Sequence, residues 1–218
     1  MNDLRAVLEL VTPAIQRSSA ALWQPMGLRE RYSRYLAEMH AVLRASVPLM
    51  VMAGAQTTNP VLRDYFAEHV EEELGHDDWL LDDVAAVGLD PDAVRASPPS
   101  ALAARLVGPQ YYWIQHYDPV ALLGYLAVLE ANAPSALLPA LLFERTGLPA
   151  RAFRTLRHHA EVDGGHSDAV FAILEQLDPP PSHRFAIRTS ALHTASALIA
   201  LFDSLSRPTG KDQHDDRS

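Results

Sequence analysis

Apolar residues recur at intervals of three and four along most of the chain, which is the period of a helix that buries one face. Alanine and leucine are frequent, and runs of β-branched residues are few. No Asn-Gly or Asp-Gly turn lies between segments that alternate apolar and polar residues. The pattern therefore predicts no strand and an all-α bundle of about seven or eight helices.

Proline and glycine residues divide this pattern into helices. Asn59-Pro60 has the order of a helix cap followed by a first helical proline, and the helix that it begins is predicted to continue to Gly88. Asp90-Pro91 and Asp118-Pro119 begin two others in the same way. The predicted helices, with short ones over 90–97 and 135–146 counted in, cover residues 2–18, 27–55, 59–88, 90–97, 101–117, 118–133, 135–146, 148–177 and 183–206. They lie within one domain over 1–207 that precedes a disordered polar tail over 208–218.

Composition narrows the classes of function. The net charge of −9 argues against a nucleic-acid partner, because phosphate binding needs a basic surface, and it fits a small-molecule substrate. The chain has no cysteine, which excludes disulfides, thiolate catalysis and iron–sulfur clusters. No secretion signal is recognisable at the start, and the continuous apolar runs are shorter than the ~20 residues that cross a bilayer. We therefore expect a cytoplasmic protein without a membrane partner.

The stretch HHAEVDGGH, residues 158–166, combines potential metal ligands with two adjacent glycines inside a predicted helix. His159, Asp163 and His166 lie at positions i, i+4 and i+7, so a helix places them within a sector of roughly 60°. His158 and Glu161 point to other sides and are expected to be solvated. The spacing predicts one ligand-bearing helix face.

A second set of ligands has the same spacing on the third predicted helix. His69, Glu73 and His76 lie at i, i+4 and i+7, and Glu73 with His76 forms the Glu-x-x-His pair found in di-iron bundles. Glu130 is the single acidic residue of a strongly apolar helix, so we expect it to be buried and therefore paired, protonated or bound to a metal.

These groups together predict a metal centre of nitrogen and oxygen ligands, which suits iron, manganese or zinc. Six candidates exceed the four ligands of a closed structural zinc site, so two ions with open positions are expected. Gly75, Gly124, Gly164 and Gly165 lie near the candidate ligands, although each glycine costs about 1 kcal/mol in a helix interior. A helical bulge, space for substrate, or close helix packing would each explain them.

The ordered pattern resembles the heme-oxygenase-like di-iron oxidases and oxygenases, the iron-containing redox enzymes, over about residues 28–206. The hallmark of that family is a Glu and a His on one core helix, a Glu on the next, and His-x3-Asp-x2-His on a later helix. The resemblance implies the seven-helix heme oxygenase fold and assigns as metal and catalytic residues Glu73, His76, Glu130, His159, Asp163 and His166. Family members differ in whether the first carboxylate precedes its histidine by three or seven residues. Here His69 occupies the seven-residue position, as a ligand or as a residue that supports one.

The resemblance further implies two Fe(II) ions, O2 as co-substrate, and oxidation of an amine, amino acid or fatty acid in specialised metabolism. Dimers are common in this fold, so a homodimer is compatible with it. Two alternatives are a metal-free or heme-binding member of the same fold, and a non-catalytic helical partner protein. Glu38 and His40 fit a heme-ligand position on an early helix, but heme would leave the other six groups without a task.

Three local features have simpler interpretations as well. The face formed by His159, Asp163 and His166 resembles a solvated polar surface when taken alone. The aromatic cluster over residues 111–117 is typical of core contacts, with a substrate-pocket wall as the alternative. Asp77, Asp78, Asp82 and Asp83 are predicted to form a solvated face.

Overall fold

The computed structural model describes residues 2–208, with side chains over 3–160 and 168–208. The side chains of Glu161, Asp163 and His166, and the predicted tail beyond residue 208, lie outside the described residues. Over residues 2–208 the chain forms ten α-helices, two short 3-10 turns and no strand, so the all-α prediction is confirmed. The helices are α1 Asn2–Leu22, α2 Leu28–Gln56, α3 Pro60–Glu73, α4 His76–Ala86, α5 Pro91–Ala96, α6 Ala101–His116, α7 Leu122–Ala131, α8 Leu138–Thr146, α9 Arg154–Leu177 and α10 Pro181–Ser206.

Three predicted helix starts are capped as the sequence indicates. The Asn59 side chain accepts a hydrogen bond from the backbone N–H of Val61 at 2.9 Å, where Pro60 begins α3. Asp90 accepts from the second residue of α5 at 3.0 Å, and Asp118 accepts at 2.8 Å within the 3-10 turn that precedes α7. Each side chain satisfies a backbone donor that has no partner within its own helix.

The predicted third helix is wrong in one respect, because it is two helices. α3 ends at Glu73 and α4 begins at His76, with Leu74 and Gly75 between them. Gly75 has φ +87°, a left-handed conformation that side chains rarely adopt, and it forms the N-cap of α4. The helical period continues through this junction, so apolar spacing alone does not reveal the break.

The two longest helices run through the bundle interior. α10 packs against α1, α6 and α7, and α2 packs against α3, α4 and α6. Both α2 and α10 contain an 18-residue window apolar enough to cross a membrane by length and composition, and 39% and 56% of the residues in those windows are buried in the protein. Core helices of a helical bundle meet the same criterion.

Gly124 is explained by close helix packing and not by space for substrate. A Cβ atom at this position would overlap the backbone carbonyl of Ile187 and lie 2.9 Å from the backbone nitrogen of Ala191. Both atoms belong to the backbone of α10, so no side-chain rotation can relieve the overlap. Gly124 thus sets the distance between α7, which carries Glu130, and α10.

We expect Gly124→Ala to lower the free energy of unfolding by about 2 kcal/mol or more, because the added methyl group forces α7 and α10 apart. Gly54→Ala is the matched control. Its Cβ would lie 3.8 Å from the Phe66 Cβ, an ordinary contact, so the higher helix propensity of alanine should leave stability equal or higher. Urea unfolding monitored by circular dichroism measures both. Equal effects of the two substitutions would contradict the packing explanation.

Candidate metal centre

Three predicted ligands from three helices converge in the bundle interior. Ligand atoms of Glu73, His76 and His159 all lie within 4.8 Å of one another. Glu73 Oε2 is 3.3 Å from His76 Nδ1, and Glu73 Oε1 is 3.9 Å from His159 Nε2. Two ligands on one ion with bonds of about 2.0–2.2 Å are separated by roughly 2.9–4.3 Å, so both distances fit a shared metal.

The break at Gly75 positions two of these ligands. Glu73 is the last residue of α3, and His76 is the first residue of α4. The left-handed glycine turns the chain between them, and the two side chains still meet. The prediction of one continuous ligand helix is therefore corrected, whereas the predicted proximity of the pair is present.

His159 is oriented by its own helix. Its Nδ1 lies 2.9 Å from the carbonyl oxygen of Thr155, which can only accept, so Nδ1 carries the proton and Nε2 presents a lone pair toward Glu73. Burial lowers the pKa of His159, and the nearby His76 and His158 lower it further, against the opposing charge of Glu73. The neutral imidazole is the form that binds a metal.

A second carboxylate–histidine pair, His69 with Glu130, lines a cavity that Glu73 and His159 also line. His69 Nε2 is 3.6 Å from Glu130 Oε1, and its Nδ1 is 3.2 Å from the carbonyl oxygen of Tyr65. Burial would lower the pKa of His69, but the Glu130 carboxylate beside it raises it overall. Glu130 is thus largely buried, as expected, with a histidine beside it.

The remaining predicted ligands are Asp163 and His166. Both belong to α9, and their side chains lie outside the described residues.

The expectation that His158 is solvated is wrong. This residue is half-buried, with its ring 4.8 Å from that of His76 and 5.2 Å from that of Trp79.

The prediction that Asp83 belongs to a solvated acidic face is wrong, and this residue instead anchors the start of α9. Its side chain is fully buried, whereas Asp78 and Asp82 are exposed and pair with arginines. The Asp83 carboxylate accepts hydrogen bonds from the backbone N–H groups of Arg154 at 3.2 Å and Thr155 at 2.9 Å, the first two residues of α9. Burial raises the pKa of Asp83, partly opposed by these donors. A cap supplied by another helix leaves no local signal in the sequence.

A cavity of about 160 Å³ adjoins the candidate ligands, and Glu73, His159, His69 and Glu130 all line it. His40 lines a different pocket, of about 180 Å³, together with Glu38 of α2 and residues that precede α6. The aromatic cluster over 111–117 is not part of the main cavity wall, and its Tyr112 and Tyr117 are exposed.

Comparisons with known proteins bear on the family and the fold of this chain. The sequence model for the iron-containing redox enzymes matches residues 33–198. A domain of unknown function with a heme oxygenase-like fold from Shewanella denitrificans superimposes with a TM-score of 0.80 at 17% identity, covering 98% of this chain and 95% of that one. A TenA homolog from Pseudomonas syringae gives 0.74 at 13% identity, with 93% and 91% covered. No curated protein is a significant match. At these identities the two structures establish the fold.

We expect Asp83→Ala to lower the free energy of unfolding by about 2 kcal/mol, because two backbone donors at the start of α9 lose their acceptor. Asp82→Ala removes the neighbouring exposed carboxylate and should change stability by less than about 0.5 kcal/mol. Chemical unfolding of both variants measures the difference. Similar losses from the two would show that the buried cap is not important.

Gly75→Ala should weaken metal binding as well as stability, because alanine resists the left-handed conformation by about 1–2 kcal/mol and the adjustment moves Glu73 relative to His76. Gly88→Ala is the control. Gly88 also has positive φ, +92°, and neither glycine has a neighbour within 4 Å of its Cβ position. Calorimetric titration with Zn²⁺ should show weaker binding for Gly75→Ala alone. Unchanged affinity would contradict a positioning role for this turn.

Proposed function

The chain belongs to the iron-containing redox enzyme family, and we propose that it is a non-heme di-iron oxidase or oxygenase that uses O2 to oxidise a small organic molecule. The observation that carries this proposal is the convergence of Glu73, His76 and His159 beside a cavity that Glu73 and His159 line together with His69 and Glu130. Imidazole and carboxylate ligands without sulfur suit iron.

The described residues fit a bound metal ion. Glu73 and Glu130 lie inside the bundle, where uncompensated carboxylates are costly, and no arginine or lysine among the described residues lines their cavity. Nδ1 of His76 is buried and forms no hydrogen bond of good geometry with the described residues. A divalent cation would balance these carboxylates and bind the imidazole nitrogens.

We assign the first ligand set to Glu73, His76 and His159, and the remaining ligands to Glu130, Asp163 and His166. Bound iron would supply the electrons that reduce O2, which organic side chains do not do readily. The protein keeps the His159 imidazole neutral through burial and holds its tautomer through the Thr155 carbonyl. Trp79 and His158 pack on the His76 ring and restrict its rotation.

Tyr125 is one residue of the cavity wall whose side chain can hold a proton inside the cavity. Its hydroxyl is buried and has no hydrogen-bond partner among the described residues. Burial raises the pKa of Tyr125, and the charge of Glu73 raises it further, so the phenol remains protonated. Its O–H is therefore available as a hydrogen-bond donor in the cavity.

The position of His40 does not favour the heme-binding alternative. His40, the histidine that suited a heme ligand, lies in a separate pocket from the main cavity.

Anaerobic loading with Fe(II), followed by metal analysis and O2-consumption measurements, tests the proposal. We expect about two irons per chain, and Glu73→Gln or His159→Gln should lower iron affinity at least about tenfold through loss of a ligand. His116→Asn, which changes an exposed histidine far from the candidate ligands in sequence, is the control and should bind iron as the wild type does. The same comparison for Asp163→Asn and His166→Gln tests the two ligands assigned without described side chains.

Two results would contradict the proposal. The first is iron uptake that is unaffected by both substitutions. The second is iron-loaded protein that consumes no O2 with amines, amino acids or fatty acids, which would favour a non-catalytic binding role.

A further inference from the structure

The main cavity has walls that define a ligand class, and we propose that it takes an apolar amine or alcohol of six to ten non-hydrogen atoms that has no carboxylate. The size is an order-of-magnitude estimate, since a cavity of about 150 Å³ holds one benzene ring, and this cavity measures about 160 Å³. Identifying this ligand as the substrate rests on the proposed function, whereas its binding does not.

The cavity wall is apolar apart from the candidate ligands and a few neutral polar groups. One face of α2 contributes residues at helical spacing, from Leu36 through Met39 and Leu43 to Met50. α7 adds Leu126 and Leu129. The wall also includes Leu156 of α9 and Leu198 and Phe202 of α10. Such a surface favours an aromatic or branched alkyl body.

Among the described residues, the wall offers a ligand carboxylate no arginine and no lysine. The chain contains a single lysine, Lys211. A carboxylate in the cavity would lie on the same wall as Glu73 and Glu130 without the paired guanidinium that usually recognises it. The proposal therefore selects amines from the three substrate classes implied by resemblance and disfavours fatty acids and amino acids.

Asn132 supplies the polar contact that specifies a hydrogen-bond donor on the ligand. Its Nδ2 donates to the carbonyl oxygen of Val128 at 2.8 Å, which fixes the orientation of the amide. Its Oδ1 is consequently the free end of the group, and it is buried without a hydrogen-bond donor among the described residues. Asn132 lines the cavity, so a ligand amine or hydroxyl can satisfy this acceptor.

The test compares four ligands of similar size, benzylamine, benzyl alcohol, toluene and benzoate. Binding is measured by calorimetry on the protein as purified and after anaerobic loading with Fe(II). We expect benzylamine and benzyl alcohol to bind at least about tenfold more tightly than benzoate, and about two- to tenfold more tightly than toluene, because only they can donate to Asn132. Benzoate binding as tightly as benzylamine would overturn the proposal.

Two variants locate the ligand. Leu43→Phe fills the cavity and should weaken all binding at least about tenfold, whereas Val51→Phe adds the same ring on the exposed side of α2, where Val51 is 53% exposed, and should not. Asn132→Leu should reduce the preference for benzyl alcohol over toluene, with the Tyr125 hydroxyl as the remaining polar partner. An undiminished preference in Asn132→Leu, or wild-type affinity in Leu43→Phe, would overturn the proposal.

Iron content separates this inference from the proposed function. Neither Leu43 nor Asn132 is a proposed ligand, so both variants should take up iron as the wild type does. Iron uptake together with tight benzoate binding would overturn the ligand class and leave the proposed function standing. The expected ligand order in a protein that takes up no iron would support the ligand class and contradict the proposed function.

Discussion

The placement of carboxylates inside an apolar helical bundle is the constraint on which the rest of the structure depends. Glu73 and Glu130 come from helices whose other contacts are mainly apolar, and their described neighbours include His76, His159 and His69. A buried carboxylate with imidazoles beside it is stable only if positive charge is supplied, by a proton or by a metal ion. Burial favours neutral His159, so a metal ion would be the better source of that charge beside Glu73, whereas Glu130 raises the pKa of His69 and a proton there can supply it.

Meeting this constraint requires accurate positions for the helices that carry the ligands. Three residues fix these helix positions, and none of the three is a candidate ligand. Gly75 turns the chain between Glu73 and His76, Asp83 fixes the start of α9 through two backbone hydrogen bonds, and Gly124 lets α7 lie directly against α10. Asp83 and Gly124 connect the candidate metal centre to the packing of the whole bundle, so ligand geometry and fold stability are physically linked.

Much of the fold was predictable because its determinants are local. Apolar periodicity gave the helices, and the caps at Asn59, Asp90 and Asp118 are encoded within a few residues of where they act. The shared face of His159, Asp163 and His166 remains a prediction, and His69, Glu73 and His76 do not share one regular helix, because α3 ends at Glu73 and α4 begins at His76. The break at Gly75 was missed because the apolar period continues across it. Asp83 and the setting of His158 were missed because both depend on contacts between helices distant in sequence.

The cavity likewise depends on contacts between helices that are distant in sequence. It is the feature that bears most directly on the proposed chemistry. Its wall combines the α2 face with residues from α7, α9 and α10, which the bundle brings together. α7 and α9 also carry candidate ligands, and Glu73 of α3 lines the cavity, so any molecule in the cavity would lie beside the candidate metal centre. Among the described residues the wall has carboxylates and no arginine or lysine. Selectivity must then come from shape, from the Asn132 acceptor and from the Tyr125 donor, which are interactions suited to small neutral or weakly basic molecules.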